Sequence, residues 1–468
     1  MSRASAWLRR LLWLLVAGLL SLLVVAGILP NPLPAIWEWI NRERPLAAGM
    51  EWQFRFSGRP SGAVAVDDLV VVGAGDQVQV RERLSGMPVV NGWDAEWLTV
   101  AGTGPDTAVI TGRLMSHGYQ VRDPATGTVV HEDHDARAVW GFRDARIDLR
   151  CTGPRSCELR GYRPRGEQPL WSAGLPGAGA KLVGPDPPLG GAAVDVPVPV
   201  EPLVAAPPAL PRLLGVPVDR NRLVVVHTGT GEVLAQVAAE SGEMVLVVGE
   251  RVLRSVVTRQ DGICRPEVTA YDPATGAPVW GPEPYHLRTV TGGGCEQRDR
   301  PTGTGAVLVA VGPDGSELVL DANDGRVLWR GEPGERVQAL SEELAVVRAA
   351  DGAVRYGVAL GGDGSRLWEH PAHEDAGVVL AGCGVVVADR DPSRIRIWDP
   401  DTGEEVTSVL TSARLLACAD DGLVLSEGRS VGFLPYPGVV APTDSPPGPG
   451  PEPGPGPRDP QAPPPDLK

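Results

Sequence analysis

The chain has 468 residues, 43% of them hydrophobic, with 59 Gly, 47 Pro and a net charge of −15. So many turn formers beside a full apolar complement mean a folded core with many turns, which excludes a disordered chain. The negative balance excludes a nucleic-acid binder, because such proteins neutralise phosphate with Lys and Arg.

The N-terminus carries an uncharged run from Leu11 to Leu29, preceded by Arg3, Arg9 and Arg10. As a helix this run is about 28 Å long, close to the hydrocarbon thickness of a bilayer. The expectation is one transmembrane helix over 11–29, with 1–10 cytoplasmic by the positive-inside rule and the rest extracytoplasmic. Residues 30–50 then form a juxtamembrane linker, with Trp37 and Trp39 at the outer interface. The rival is a cleaved signal peptide, which the length of the run and the lack of a small-x-small site before Pro30 argue against.

From residue 51 a five-residue turn recurs. It reads Asp123-Pro124-Ala125-Thr126-Gly127, Asp272-Pro273-Ala274-Thr275-Gly276 and Asp399-Pro400-Asp401-Thr402-Gly403. Looser copies run from Asp321 to Gly325, from His227 to Gly231, and through Asp363-Gly364. Asp can accept hydrogen bonds from N–H groups two and three residues on, and Pro presets φ for a type I turn. Gly supplies the left-handed conformation that closes a bulged hairpin. Alternating apolar pairs precede the turns (Val268 and Ala270, Leu318 and Leu320, Ile395 and Ile397), which reads as strand. Trp280, Trp329 and Trp368 each follow four residues after the Gly. Even spacing on a strand delivers each ring to the same face, so each hairpin is expected to dock a Trp on its neighbour.

Taking Gly86, Gly127, Gly166, Gly231, Gly276, Gly325, Gly364 and Gly403, the intervals are 41, 39, 65, 45, 49, 39 and 39 residues. Forty-odd residues suit four short strands, one blade of a β-propeller. The expected fold is therefore all-β, a single propeller over 51–436 of about eight four-stranded blades, with seven or nine also compatible. The long interval marks a Pro/Gly-rich insertion at 184–217, with little strand signal beyond Val194 to Val200. The stretch Trp52-Gln53-Phe54-Arg55-Phe56 resembles a post-turn strand without its turn, and completing the last blade with it would close the ring. Closure removes exposed sheet edges.

The six cysteines fall into three neighbouring couples, Cys151/Cys157, Cys264/Cys295 and Cys383/Cys418. They are disulfide candidates, as an extracytoplasmic location favours, although six cysteines allow fifteen pairings. No Cys-x-x-Cys spacing suggests zinc. Two polar clusters, His131-Glu132-Asp133-His134-Asp135 and His370-Pro371-Ala372-His373-Glu374-Asp375, read as solvated loops after a blade's last strand rather than as metal ligands. Gly102-Thr103-Gly104 and Gly292-Gly293-Gly294 precede no helical pattern and read as loops rather than phosphate cradles. From residue 437 the chain is a Pro-rich tail expected to be extended and disordered.

The pattern Asp-x-x-Thr-Gly-x-x-x-Trp, met by Asp272 to Trp280 and with one change by Asp321 to Trp329, resembles the repeat of pyrroloquinoline-quinone (PQQ)-type propellers. That resemblance implies the quinoprotein alcohol dehydrogenase-like fold, shared by PQQ- and calcium-dependent dehydrogenases and by non-enzymatic envelope scaffolds. The dehydrogenases commonly carry two adjacent cysteines over the cofactor, and this chain has none. No catalytic, cofactor or metal residue is therefore assigned, and PQQ with calcium stands only as the alternative. The expected function is that of a membrane-anchored scaffold or sensor for an envelope protein. A small ligand or ion in the central channel is the second reading, and the insertion is the expected partner contact.

Overall fold

The computed structural model describes residues 45–113, 117–177, 207–219, 221–288, 295, 297, 301–390 and 392–437. Nine antiparallel sheets follow one another along the chain. Blades 1 to 8 occupy residues 60–94, 97–133, 136–175, 213–238, 243–283, 303–330, 336–371 and 377–410. Blade 9 takes three strands from 414–435 and its fourth, Trp52–Arg55, from the other end of the propeller sequence. There Trp52 pairs with Phe433 and Arg55 with Ser430. The first strand of blade 1, Pro60–Val66, also lies against the first strand of blade 9, Arg414–Ala419, so the ring is closed.

Eight turns thus make nine blades. Each repeated turn joins the last two strands of its blade, and blade 9 has no such turn because those two strands come from opposite ends. Counting turns therefore falls one short. Blade 4 shows three strands among the described residues, and its first, Leu213–Pro217, lies within the Pro/Gly-rich stretch assigned to an insertion. Leu213, Leu214 and Val216 are buried there, whereas Val194 to Val200 lies outside the described residues.

The core is divided among the seams between blades, one apolar cluster to each. Val64, Val71 and Trp93 of blade 1 meet Val100 and Val109 of blade 2. Val309 and Val319 of blade 6 meet Val347 and Tyr356 of blade 7. Burying each such side chain contributes about 1.5–3 kcal/mol. The seam of blades 8 and 9 also takes in Leu46, Ala47 and, less deeply, Met50, from the segment expected to be a linker. Leu46 N donates to Gln53 Oε1 (3.0 Å), and Thr411 Oγ1 donates to Leu46 O (2.5 Å).

The turns have the expected chemistry. Asp272 Oδ1 accepts from Ala274 N (3.0 Å), Thr275 N (2.8 Å) and Thr275 Oγ1 (2.9 Å). Asp399 repeats this set with Asp401 and Thr402, while Asp123 accepts from Ala125 N and Thr126 N, and Asp321 from Asn323 N. These bonds, the backbone N–H of Thr275 or Thr402 foremost, hold the Asp272 and Asp399 carboxyls below their ordinary range. Gly127, Gly276, Gly325, Gly364 and Gly403 all adopt φ between +68° and +77°. Gly166 does not have a left-handed φ. The link between Ser156–Tyr162 and Trp171–Leu175 is a longer loop, which is why the motif was weak there.

The tryptophans dock across seams. Trp280 Nε1 donates to Ala322 O (2.8 Å), Trp368 Nε1 to Pro400 O (2.8 Å) and Trp52 Nε1 to Arg83 O (2.7 Å). Each acceptor lies at the turn of the following blade. The ring then covers that turn's glycine. A methyl group at Gly86 would stand 2.4 Å from Trp52, at Gly325 2.8 Å from Trp280, and at Gly403 2.6 Å from Trp368. A glycine of the ring's own blade clears the other flank, as Gly357 does for Trp368 (2.4 Å) and Gly161 for Trp171 (2.3 Å). Trp329 departs from this arrangement. It is buried in the seam of blades 6 and 7, and the backbone carbonyl of Leu328 rather than the indole is nearest Gly364.

Gly276 provides an internal control, since nothing lies within 4 Å of a methyl placed there. Gly276→Ala should lose only the left-handed preference, about 1 kcal/mol. Gly403→Ala should lose that and the ring contact as well, about 2–4 kcal/mol. Denaturant midpoints of the two variants check this; equal shifts would show that the Trp368 contact carries no load.

Candidate binding face

All six cysteines are paired, as Cys151–Cys157, Cys264–Cys295 and Cys383–Cys418. Cys151 and Cys157 are direct cross-strand partners, 4.0 Å apart at Cα, in the hairpin between the second and third strands of blade 3. Cys264 stands near the tip of the corresponding hairpin in blade 5, and Cys295 lies on the connection from blade 5 to blade 6. In an alternating four-stranded blade these hairpins and interblade connections emerge on one side of the ring, and the repeated turns on the other. Consistent with that, a methyl on Gly177, just past the last strand of blade 3, would stand 3.3 Å from Pro154 O at the hairpin tip. Cys383–Cys418 lies on the turn side and joins blade 8 to blade 9 beside the closure. Non-reducing peptide mapping of exported protein should recover these three pairs and no free thiol; any other pairing would contradict the placement of the hairpins.

The hairpin of blade 5 is the longest in the ring. Its strands, Arg251–Gln260 and Ile263–Tyr271, are joined by Asp261 (φ +53°) and Gly262 (φ +82°), a two-residue turn. The first strand of the blade, Glu243–Val248, reaches only to Val256, and the fourth, Pro278–Glu283, only to Val268. Residues 257–267 therefore project beyond the sheet. Gln297 braces the base, accepting from Ser255 Oγ (3.1 Å) and donating to Ser255 O (3.1 Å).

The seam of blades 2 and 3 holds a polar wedge that sequence reading missed. Tyr119 OH donates to Asp148 Oδ2 (2.9 Å), and Arg146 Nε donates to the Tyr119 oxygen (3.3 Å). Arg146 also donates to Pro164 O (2.8 Å) and Gly166 O (2.8 Å), while Arg150 pairs with Asp133. Arg146 and Asp148 are fully buried. Burial pushes the Asp148 carboxyl and the Tyr119 phenol up. The signal in the sequence was the alternation Arg146-Ile147-Asp148-Leu149-Arg150, polar where other second strands are apolar. Wholly buried charges with these partners clamp two blades together.

Both His clusters need correction. His131, Glu132 and Asp133 belong to the strand Val129–Asp133, and His370 and Pro371 to Arg366–Pro371. His131 packs between Tyr119 and Tyr162, with ring centroids at 6.0 and 5.8 Å, at the edge of the wedge. His370 stacks on Trp398 (4.7 Å), and its Nε2 donates to Gly403 O (2.7 Å). The rings fill seams, which is why they lie in strands and not in solvated loops. Of Gly102-Thr103-Gly104, expected as a loop, the last residue opens one 3-10 turn, Gly104–Asp106. Among the described residues no three His, Cys, Asp or Glu side chains converge as metal ligands, and no helix is long and apolar enough to cross a membrane. Leu11 to Leu29 lies outside those residues.

Burial first, then Arg146 and Arg150, lower the pKa of His131 from 6.5 to about 4. A lowered imidazole pKa gives a contribution that is complete above pH 6.5 and is lost as pH falls from 6.5 toward 4. Asp148, raised, acts in the opposite sense. The difference between wild type and His131→Phe isolates the histidine, and wild type should lose on the order of 1 kcal/mol more between pH 7 and 4.5, allowing for solvent screening. Parallel urea midpoints for the two proteins would exclude this role.

A family model described as outer membrane protein assembly factor BamB matches residues 264–417, from the third strand of blade 5 into the first of blade 9. The outer membrane protein assembly factor BamB of Bordetella pertussis is 29% identical over 140 residues, 29% of this chain and 36% of that protein. The match thus spans about a third of the length of that curated relative. Among solved structures, BamB from Moraxella catarrhalis is 14% identical with a TM-score of 0.36, covering 83% of this chain and 99% of that one. A quinohemoprotein alcohol dehydrogenase from Pseudomonas putida is 12% identical with a TM-score of 0.36, covering 87% and 80%. Asp-anchored turns, docked tryptophans and a closed ring of blades make this chain a β-propeller that is similar, over residues 264–417, to the PQQ-like repeat propellers.

Proposed function

We propose that this propeller is a membrane-anchored, non-enzymatic scaffold that binds a protein of the cell envelope. The observation that carries the reading is the side of the ring on which blades 3 and 5 each raise a disulfide-stapled hairpin. Rigid loops on a rigid frame suit recognition, because little ordering entropy is lost on binding. Disulfides also favour an oxidising compartment, in keeping with the apolar run before the propeller and its arginines. The matched relative's name describes an assembly factor, which supports a protein rather than a substrate as the ligand. Quinoprotein chemistry of the family type uses adjacent cysteines, and here every cysteine is paired with one that is not its neighbour in the chain.

The test is a crosslinked pull-down of tagged full-length protein from its own membranes, with anchorless propeller as control. A specific envelope protein recovered in quantity with the full-length chain is the expected result. An empty pull-down would overturn the reading and turn attention to a channel ligand, with PQQ and calcium titrated first.

A further inference from the structure

On the protein-binding reading above, we propose that the projecting hairpin of blade 5 accepts an extended acidic segment of a partner protein as an added β-strand along Val257 to Gln260.

The edge is defined by parity. Gln260 and Ile263 flank a two-residue turn and exchange its closing hydrogen bonds, so Thr258 and Val256 also face the paired strand. The N–H and C=O groups of Arg259 and Val257 therefore point the other way. Nearer the ring, the same outward parity is met by the first strand, where Leu253 pairs with Leu246 and Ser255 with Met244. That strand begins at Glu243, opposite Val256, so nothing in it reaches Val257 or Arg259. Among the described residues, two donors and two acceptors are left at strand spacing on a ribbon braced by Cys264–Cys295 and Gln297.

The opposite edge is closed. Its outward residues are Cys264, tied to Cys295, and Pro266, which has no N–H. Protection of one edge and not the other is what a one-sided docking strand requires. The ribbon face away from Cys264 presents Ile263, 64% exposed, and Val256, 36% exposed, for alternate apolar side chains of an added strand.

Charge selects the occupant. Arg259 and Arg265 form no ion pair among the described residues, in a chain of net charge −15. A second copy pairing edge to edge through both outward residues would set Arg259 opposite Val257 and bring the two Arg259 side chains together as diagonal neighbours on one face, which disfavours self-association. The chain's Pro-rich tail fixes φ near −65° at every second residue from Pro447 to Pro457 and carries one acid there, Glu452, so it matches neither a strand backbone nor the arginines. An acidic extended segment from another protein satisfies both the ladder and the arginines.

The probe is a fluorescein-labelled Glu-Val-Glu-Val-Glu-Val-Glu peptide, with the Lys-for-Glu peptide as its counterpart, titrated into full-length protein in nanodiscs. Anisotropy should show saturable binding of the acidic peptide below about 1 mM, with slowed amide exchange at Val257 and Arg259. Val257→Pro places proline at an outward position, removes one donor without breaking the hairpin ladder, and should weaken binding about tenfold. Arg259→Glu should weaken it while leaving the backbone edge intact. No binding of the acidic peptide, tighter binding of the Lys peptide, or wild-type affinity in a Val257→Pro protein of unchanged melting temperature would each overturn the proposal. A pull-down partner recovered equally by wild type and Val257→Pro would overturn the docking edge and leave the scaffold reading standing. A pull-down empty for both would remove the reading itself.

Discussion

A tryptophan ring laid on a neighbour's turn glycine is the contact on which the rest of this ring depends. It couples two requirements at one residue: a left-handed backbone to close the hairpin, and no side chain where the indole must lie. The indole N–H of Trp52, Trp280 and Trp368 then bonds the same turn, so these outer strands are registered against the blade that follows. No blade has a core of its own. The apolar residues of a sheet find partners only across a seam, and stability is shared among neighbours, as in other repeat architectures.

The repeat could be read from sequence because its chemistry is local. Asp, Pro and Gly at fixed offsets act within five residues, and the strands around Val268, Leu318 and Ile395 alternate visibly. The closure strand was legible as well, since Trp52 to Phe56 has the pattern of an outer strand. The ninth blade was not, because its third and fourth strands have no turn to count. Leu213–Pro217 was hidden by flanking prolines, and Gly166 by a loop that does not use the left-handed turn. What escaped in the candidate site was nonlocal. Nothing near Tyr119 in the chain announces Asp148, 29 residues away, and His370 became a seam residue only through Trp398 on the next blade.

The polar wedge and the stapled hairpins divide the molecule's charged chemistry in two. In the wedge, Arg146 and Asp148 are removed from water and matched to fixed partners, an arrangement that gives register between blades more than net stability. Toward the tip of the blade 5 hairpin Arg259 and Arg265 stay exposed and form no ion pair among the described residues, where charge guides encounter more than it strengthens a bound state. The seams thus hold charge for assembly, and the solvated arginines stand on the side of the ring proposed to bind a partner.

Both ends of the propeller sequence meet at the seam of blades 8 and 9, where Leu46 and Ala47 pack beside Leu434 and Tyr436. The closing strand and its partner run antiparallel, with Trp52 opposite Phe433, so tension applied between the two ends acts at the same end of the ladder. Such a load peels rung after rung instead of shearing all rungs together. The packed segment from Leu46 to Met50 takes the strain before any rung does, and so acts as a mechanical fuse between the ring and a load applied at the N-terminal side of the closing strand.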